Sequence, residues 1–162
     1  MSTQGAPLGS SVDASGWLVP VIAASWHSDI VEGLEAGAMR VLRQAGANAP
    51  LIHVPGCFEL PVMAQNVLTK ATRWGAADGA VGLGVVLRGG TVHFEYVCQA
   101  ATMGLTDVAI QTGKPIGFGV LTCDNEAQAR ARAGLEGSIE DKGAQAAEAV
   151  LATLQAMRTL AP

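Results

Sequence analysis

The feature of this sequence that most limits its fold is the stretch 79–87, in which every residue is apolar or glycine. A strand with one face in water alternates apolar and polar residues, so an unbroken apolar run predicts a strand that is buried on both faces. Shorter apolar runs at 17–24, 51–54 and 116–121 predict three more strands. Because apolar residues at helical spacing lie between these runs, the sequence predicts a parallel sheet whose strands are joined by helices.

Helices are predicted from apolar spacing and from helix-end signals. The first starts at Ser28 or Asp29, which are typical N-cap residues, and ends before Gly46. The others are expected over about 60–71, 93–112, 125–133 and 143–160. We therefore expect an α/β fold, a single-domain three-layer αβα sandwich with a central four-stranded parallel sheet, flavodoxin-like in architecture. The domain should span 16–162, and 1–15, which is rich in Gly and Ser, should be a flexible N-terminal tail.

The composition limits the possible partners. Charged residues make up only 15% of the chain and hydrophobic residues 49%, whereas about 25% charged is usual. Part of the apolar surface is therefore expected to be buried against other subunits. The net charge of −4 and the lack of a basic stripe argue against nucleic acid as a partner.

The cellular location is inferred from three absences in the sequence. No apolar run reaches the roughly 18 residues of a membrane helix, so no membrane association is expected. The N-terminus lacks the basic and apolar regions of a signal peptide. Cysteines lie at 57, 98 and 123 without CxxC spacing, which favours a reducing, cytoplasmic location over disulfides or zinc.

Three loops that follow predicted strands carry most of the reactive side chains. They are 25–28, 55–59 and 88–93, and they should meet at one edge, because the carboxyl ends of parallel strands lie together. In the third loop, the glycines before a helix suit a phosphate site at the helix N-terminus, but also a plain turn. His93, at the start of that helix, is either a proton shuttle or a structural residue.

Other side chains also allow more than one interpretation. Cys57 follows a strand and a glycine, as a nucleophile on a sharp turn does, but a cysteine between Gly and Phe is more often a small packing residue. Trp26 can stack on a planar heterocycle or pack in an interface, and Arg132 can bind an anion or lie in solvent. His93 and Glu95 match half of a zinc deaminase motif, but the P-C-x-x-C half is absent, so no metal site is predicted.

Four segments together resemble signature stretches of the 6,7-dimethyl-8-ribityllumazine synthase family. They are Ser25-Trp26, 54–61 (VPGCFELP), 84–97 (GVVLRGGTVHFEYV) and 118–134 (FGVLTCDNEAQARARAG). The likeness runs from about 18 to 154. It implies a transferase that condenses 5-amino-6-(D-ribitylamino)uracil with 3,4-dihydroxy-2-butanone 4-phosphate. An imine forms, phosphate leaves and the second ring closes with loss of water. These steps need no metal and no cofactor.

The resemblance also implies a role for each matching residue. His93 is the catalytic proton-transfer residue, which Glu95 orients. The substrate-binding residues are Trp26, which stacks on the pyrimidine, Cys57, Phe58 and Glu59, the backbone of Val85, Val86 and Leu87, and Phe118. The phosphate-binding residues are Gly90, Thr91 and Arg132, and Lys142 aligns with a lysine of the family. The partners are small-molecule substrates and further copies of the same chain.

The resemblance implies a homopentamer or a multiple of pentamers, because Phe118 comes from a neighbouring subunit. We expect the apolar strand 17–24 to pair with a neighbour's sheet edge. The segment 134–143 is two residues longer than is usual in the family and carries Glu136, Glu140 and Asp141. The added length, through steric overlap, and like-charge repulsion there favour free pentamers, or pairs of them, over a sixty-subunit shell.

Two other functions compete with this one. A non-catalytic flavin- or lumazine-binding relative needs Trp26 but not His93 or Arg132, and both of these are present. A small cysteine-dependent hydrolase needs a reactive Cys57 close to His93.

Overall fold

Four parallel strands form one sheet in the computed structural model, which describes residues 12–160. They are β1 (Val21–Ala24), β2 (Leu51–Val54), β3 (Ala80–Leu87) and β4 (Ile116–Cys123), in the order β2-β1-β3-β4. All of β1 and the first six residues of β3 are buried, as expected for strands covered on both faces. The apolar run at 79–87 therefore forms a central strand.

Helices cover both faces of the sheet. The first face packs against α1 (Ser28–Gln44) and α5 (Lys142–Arg158), and the second against α2 (Leu60–Thr69) and α3 (His93–Thr112). A short helix, α4 (Glu126–Arg130), follows β4. The predicted α/β three-layer sandwich with a four-stranded parallel sheet is confirmed. Among the described residues, each helix is too short or too polar to cross a bilayer.

The first strand differs from its prediction in length and in position. It was expected over 17–24, but regular pairing begins only at Val21, because Pro20 has no N–H for the ladder. The expectation that this segment pairs with a neighbour's sheet edge is wrong, since β1 lies between β2 and β3. The edge strands of the sheet are β2 and β4.

Most of the predicted N-terminal tail, 1–11, lies outside the described residues, as do 161–162. The residues just before the domain are described and make contacts. Ala14 is fully buried and donates its N–H to the carbonyl of Ala45 at 2.8 Å. Residues 12–15 therefore pack against the end of α1.

Glycines allow α1 and α5 to approach closely. A methyl group on Gly143 would lie 2.0 Å from the carbonyl oxygen of Leu34, and one on Gly37 would lie 2.2 Å from the carboxylate of Asp141. Asp141 also caps α5, because its Oδ1 accepts from the N–H of Ala144 at 2.9 Å. This capping residue explains why α5 begins one residue earlier than predicted.

We expect Gly143→Ala to lower the free energy of unfolding by about 2 kcal/mol, because the new methyl group overlaps backbone atoms that cannot rotate away. Thermal and denaturant unfolding at fixed protein concentration measure the loss. Gly89→Ala is the matched control, since a methyl group there meets no atom within 4 Å. Equal stability of the two variants would contradict the proposed close contact.

Candidate active site

The candidate site lies at the carboxyl edge of the sheet, between β1 and β3. The chain leaves β1 toward β2 on one side, and β3 and β4 lie on the other. Ligands of open α/β sheets bind in the crevice at such a switch point. The loops after β1, β2 and β3 all end at this crevice, as the sequence predicted.

The loop after β1 presents a tryptophan in an open cleft. The cleft is lined by Ser25, Trp26, His27, Ser28, Asp29 and Pro55. The Trp26 side chain is 69% exposed. Ser25 holds the loop against β2, because both its N–H and its hydroxyl donate to the carbonyl of Val54 at 2.9 Å. Trp26 is therefore presented on a fixed backbone.

His27 turns the chain sharply after Trp26. It has φ 57° and ψ 47°, the left-handed region that histidine enters more readily than most residues. Its carbonyl accepts from the N–H groups of Ile30 and Val31, so α1 starts directly after it. The predicted side-chain cap from Ser28 or Asp29 is wrong, because His27 occupies the N-cap position and α1 has no side-chain cap.

The loop after β2 brings Glu59 close to Trp26. A methyl group on Gly56 would lie 3.3 Å from Glu59 Oε2 and 3.5 Å from Trp26 Cδ1, so the two side chains flank the same glycine. Phe58 is 65% exposed beside them. A carboxylate and an exposed indole thus lie close together on one side of the crevice.

Cys57 forms part of the floor of this region. Its side chain is buried, and its thiol donates to the carbonyl of Val85 at 3.8 Å. A methyl group on Gly84 would lie 2.4 Å from its sulfur. Burial raises the pKa of the Cys57 thiol to about 12, and the nearby Cys98 adds to the effect. The packing interpretation of Cys57 fits this environment, whereas a nucleophile needs a lowered pKa.

The end of β3 offers backbone groups to the crevice. On its β1 side, only residues 81–83 are paired among the described residues, whereas on its other side β4 pairs with all of 80–87. Residues 84–87 therefore extend past β1. Val85 is buried and Val86 and Leu87 are half-buried. No strand pairs with this part of β3 on the β1 side in the described part of the chain, and the carbonyl of Val85 accepts from the Cys57 thiol.

The loop after β3 is open. A methyl group on Gly89 or Gly90 would meet no atom within 4 Å, so neither glycine is needed for packing. Thr91 and His93 are both exposed, and the N–H of His93 lies 3.4 Å from Thr91 Oγ1 at the start of α3. The loop leaves room for an anion at the N-terminus of a long helix.

Arg88 organises this loop, and the sequence analysis did not single it out. Its guanidinium donates to Asp124 at 2.8 Å and to Glu95, and it lies 4.2 Å from the centre of the Phe94 ring. The hydrogen bond from Arg88 lowers the pKa of Glu95. Glu95 was expected to orient His93, but the structure pairs it with Arg88 instead.

Arg132 lies after α4 with two charged neighbours. Its Nη1 donates to the carbonyl of Gln128 at 2.7 Å, and its Nε is 3.8 Å from Glu140 Oε2. Lys142 Nζ lies 3.2 Å from the same oxygen. The sequence alone does not place Glu140 beside Arg132, because the two come together only when 134–141 folds back.

Phe118 lies far from this crevice within one chain. It is 44% exposed and pairs in register with Gly82, five residues before the end of β4. At roughly 3.3 Å per residue, this places it about 17 Å from the carboxyl edge. The structure thus brings together Trp26, Cys57 and Glu59 with the end of β3, and it keeps Phe118 apart from them.

Comparison with known proteins identifies the family. A family model described as 6,7-dimethyl-8-ribityllumazine synthase matches residues 17–158. The chain belongs to the 6,7-dimethyl-8-ribityllumazine synthase family. The resemblance drawn from four short segments is therefore confirmed over nearly the whole chain.

Individual lumazine synthases are similar to the chain along their full length. The protein of that name from Leifsonia xyli subsp. xyli is 55% identical over 99% of both chains. The one from Kineococcus radiotolerans is 56% identical over 100% of this chain and 98% of its own. The one from Cutibacterium acnes is 54% identical over 95% of this chain and 90% of its own.

We expect Cys57 to resist alkylation by iodoacetamide at pH 8, because only the thiolate reacts. Raising the pKa from 9.0 to about 12 lowers the thiolate fraction roughly a thousand-fold below that of an ordinary thiol. Mass spectrometry of peptides identifies the modified cysteine, and half-exposed Cys98 serves as the internal comparison. Modification of Cys57 before Cys98 would restore the nucleophile interpretation.

Proposed function

We propose that this protein catalyses the condensation of 5-amino-6-(D-ribitylamino)uracil with 3,4-dihydroxy-2-butanone 4-phosphate. The products are 6,7-dimethyl-8-ribityllumazine, phosphate and water, and the reaction is the penultimate step of riboflavin biosynthesis. The observation that carries the proposal is the family match over residues 17–158. Trp26, the segment 57–59 and the end of β3 with the loop that follows it lie at the carboxyl edge of the sheet, which supports the proposal.

The pyrimidine substrate binds in the crevice beside Trp26. The exposed indole stacks on the ring, and the backbone of Val85, Val86 and Leu87 binds the ring edge. Glu59, half-buried beside Trp26, accepts hydrogen bonds from ribityl hydroxyls. Cys57 supports this surface from below, and Phe58 contacts the substrate from the side.

The phosphorylated substrate binds at the start of α3. Gly90 and Thr91 offer backbone N–H groups and a hydroxyl, and the helix N-terminus adds a partial positive charge. Arg132 supplies a guanidinium, which suits a phosphate dianion. These parts require the carboxyl edge of β3 and the turn after α4 to face one anion in the assembled protein.

His93 moves the protons. Forming the imine removes protons from the attacking amine, and expelling phosphate and closing the ring need further transfers. An imidazole near neutral pH can both accept and donate a proton. The atoms balance without an oxidant or reductant, so the proposal includes no redox cofactor and no metal.

The two competing functions are weaker. A hydrolase requires an activated thiolate, but burial raises the pKa of Cys57 to about 12. His93 is exposed at the start of α3. A protein that only binds the ligand does not require a histidine there. Catalysis of the condensation separates an enzyme from a binding protein directly.

Mixing both substrates with the protein should produce lumazine absorbance faster than the uncatalysed reaction. In His93→Ala the rate should fall about a hundred-fold, the low end of general acid–base effects. His53→Ala is a matched control, because His53 lies on β2 and pairs with Glu35 at 2.9 Å. Unchanged turnover in a folded His93→Ala variant would remove His93 from the mechanism.

The active unit is a homopentamer in this proposal, with Phe118 of one subunit completing the neighbour's site. The outer face of α3 supports an interface, because it exposes a stripe of large apolar side chains. These are Val92, Tyr96, Met103 and Ile110, which are 53–75% exposed. Such a stripe is larger than scattered surface residues and is typical of an interaction site.

The segment 134–143 presents less negative charge to a neighbouring ring than the sequence predicted. Of the three acidic residues in 134–143, Glu140 is 10% exposed beside two cations, and Asp141 is bound to Arg40 at 2.8 Å. Only Glu136 is left to repel a neighbouring ring. The preference for free pentamers therefore depends on the length of the loop.

For the active protein, light scattering should give about five times the 16.5 kDa mass of one chain. A charge in the α3 stripe should split the ring, because an unpaired buried charge is costly. We expect Ile110→Asp to lower the mass and Ile139→Asp to leave it unchanged, since Ile139 is equally exposed but lies in the loop before α5. An active monomer would contradict the shared site.

A cytoplasmic location completes the proposal. Cys57, Cys98 and Cys123 are all free thiols. Free thiols persist in a reducing compartment.

A further inference from the structure

A carboxylate with one buried oxygen lies beside the proposed phosphate-binding arginine. The Glu140 side chain is only 10% exposed. Its Oε2 lies 3.2 Å from Lys142 Nζ and 3.8 Å from Arg132 Nε. That oxygen is fully buried and accepts no well-aligned hydrogen bond within the described part of the chain. Glu140 therefore acts on both cations by charge.

The backbone holds this carboxylate in place. The N–H of Glu140 donates to Ala131 at 3.1 Å, and its carbonyl accepts from Gly134 at 3.0 Å. The next residue, Asp141, caps α5 and binds Arg40. The backbone of Glu140 is thus fixed on both sides, and its side chain lies against Arg132 and Lys142.

A buried oxygen without a hydrogen bond is costly, and the attraction of two cations offsets the cost. The same attraction restrains the cations. Arg132 is held by Glu140 at Nε and by Gln128 at Nη1. Lys142 Nζ also donates to Gln145 at 2.9 Å. The three side chains carry a net charge of +1 with Glu140 and would carry +2 without it.

We propose that Glu140 is a built-in counter-anion of the phosphate site. It positions Arg132 and Lys142 while the site is empty, and it competes with phosphate for their charge when the site is full. This inference rests on the proposed function, which assigns Arg132 to phosphate. Phosphate is part of a substrate and also a product that must leave in every cycle, so weaker binding speeds its release.

The test uses inorganic phosphate and the assembled protein. In Glu140→Gln, which keeps the shape and removes the charge, phosphate should inhibit about ten times more strongly, the size expected for removing one charge several ångströms away. The kcat should fall, because phosphate leaves more slowly. The variant should also melt at a lower temperature without phosphate, because two cations lose their counter-charge. A merely structural role predicts weaker phosphate binding, the opposite sign.

Two matched variants separate charge from shape and from distance. Glu136→Gln removes the same charge from an exposed position in the same loop and should leave phosphate inhibition unchanged. Glu140→Asp keeps the charge and should stay close to the unmodified protein. Phosphate binding in Glu140→Gln that equals or falls below that of the unmodified protein would overturn the inference.

The failure of the inference can be told apart from that of the proposed function. Arg132→Ala should abolish phosphate inhibition; if it does not, Arg132 is no phosphate residue and the proposal falls with it. If Arg132→Ala abolishes inhibition while Glu140→Gln does not strengthen it, only the role of Glu140 is wrong. Should Glu140→Gln not assemble in light scattering, Glu140→Ala provides a second charge-removing variant with the same expected gain.

Discussion

The contact of Asp141 with α1 determines how the loop 134–141 and α5 join the rest of the domain. Its carboxylate fits a notch left by Gly37 and Gly134, binds Arg40 and caps the first turn of α5. A side chain on Gly37 would occupy the same space. One interaction therefore fixes the start of α5, the return of the loop 134–141 and the residues on either side of Asp141.

The proposed active site is built on two supports that differ in kind. Toward the pyrimidine, the support is backbone: Ser25 holds the first loop to β2, and β3 extends past β1. On the proposed phosphate side, ion pairs hold the loops in place. Arg88, just after β3, pairs with Asp124, just after β4, and Glu140 lies between Arg132 and Lys142. The position of Trp26 therefore depends on backbone hydrogen bonds, whereas the proposed anion site depends on ion pairs.

The sequence predicted elements wherever local signals were sufficient. The bounds of β2 and α3 match, because β-branched residues define the first and Gly113, at φ 65°, ends the second. β1 is shorter than predicted because of Pro20. At the start of α1, His27 in the left-handed conformation is the N-cap instead of the predicted Ser28 or Asp29. Arg88 and Glu140 escaped sequence reasoning because each acts on residues brought close only by tertiary folding.

The extension of β3 past β1 has a chemical meaning. Residues 84–87 extend past β1, and at alternate residues their N–H and C=O groups face a side with no neighbouring strand among the described residues. The imide edge of a uracil ring offers acceptor, donor and acceptor in one plane, which is the pattern of a short piece of backbone. A pyrimidine bound there takes the place of a missing stretch of strand. In the proposed function, the length and spacing of this strand edge therefore select the ring together with the stacking side chain of Trp26.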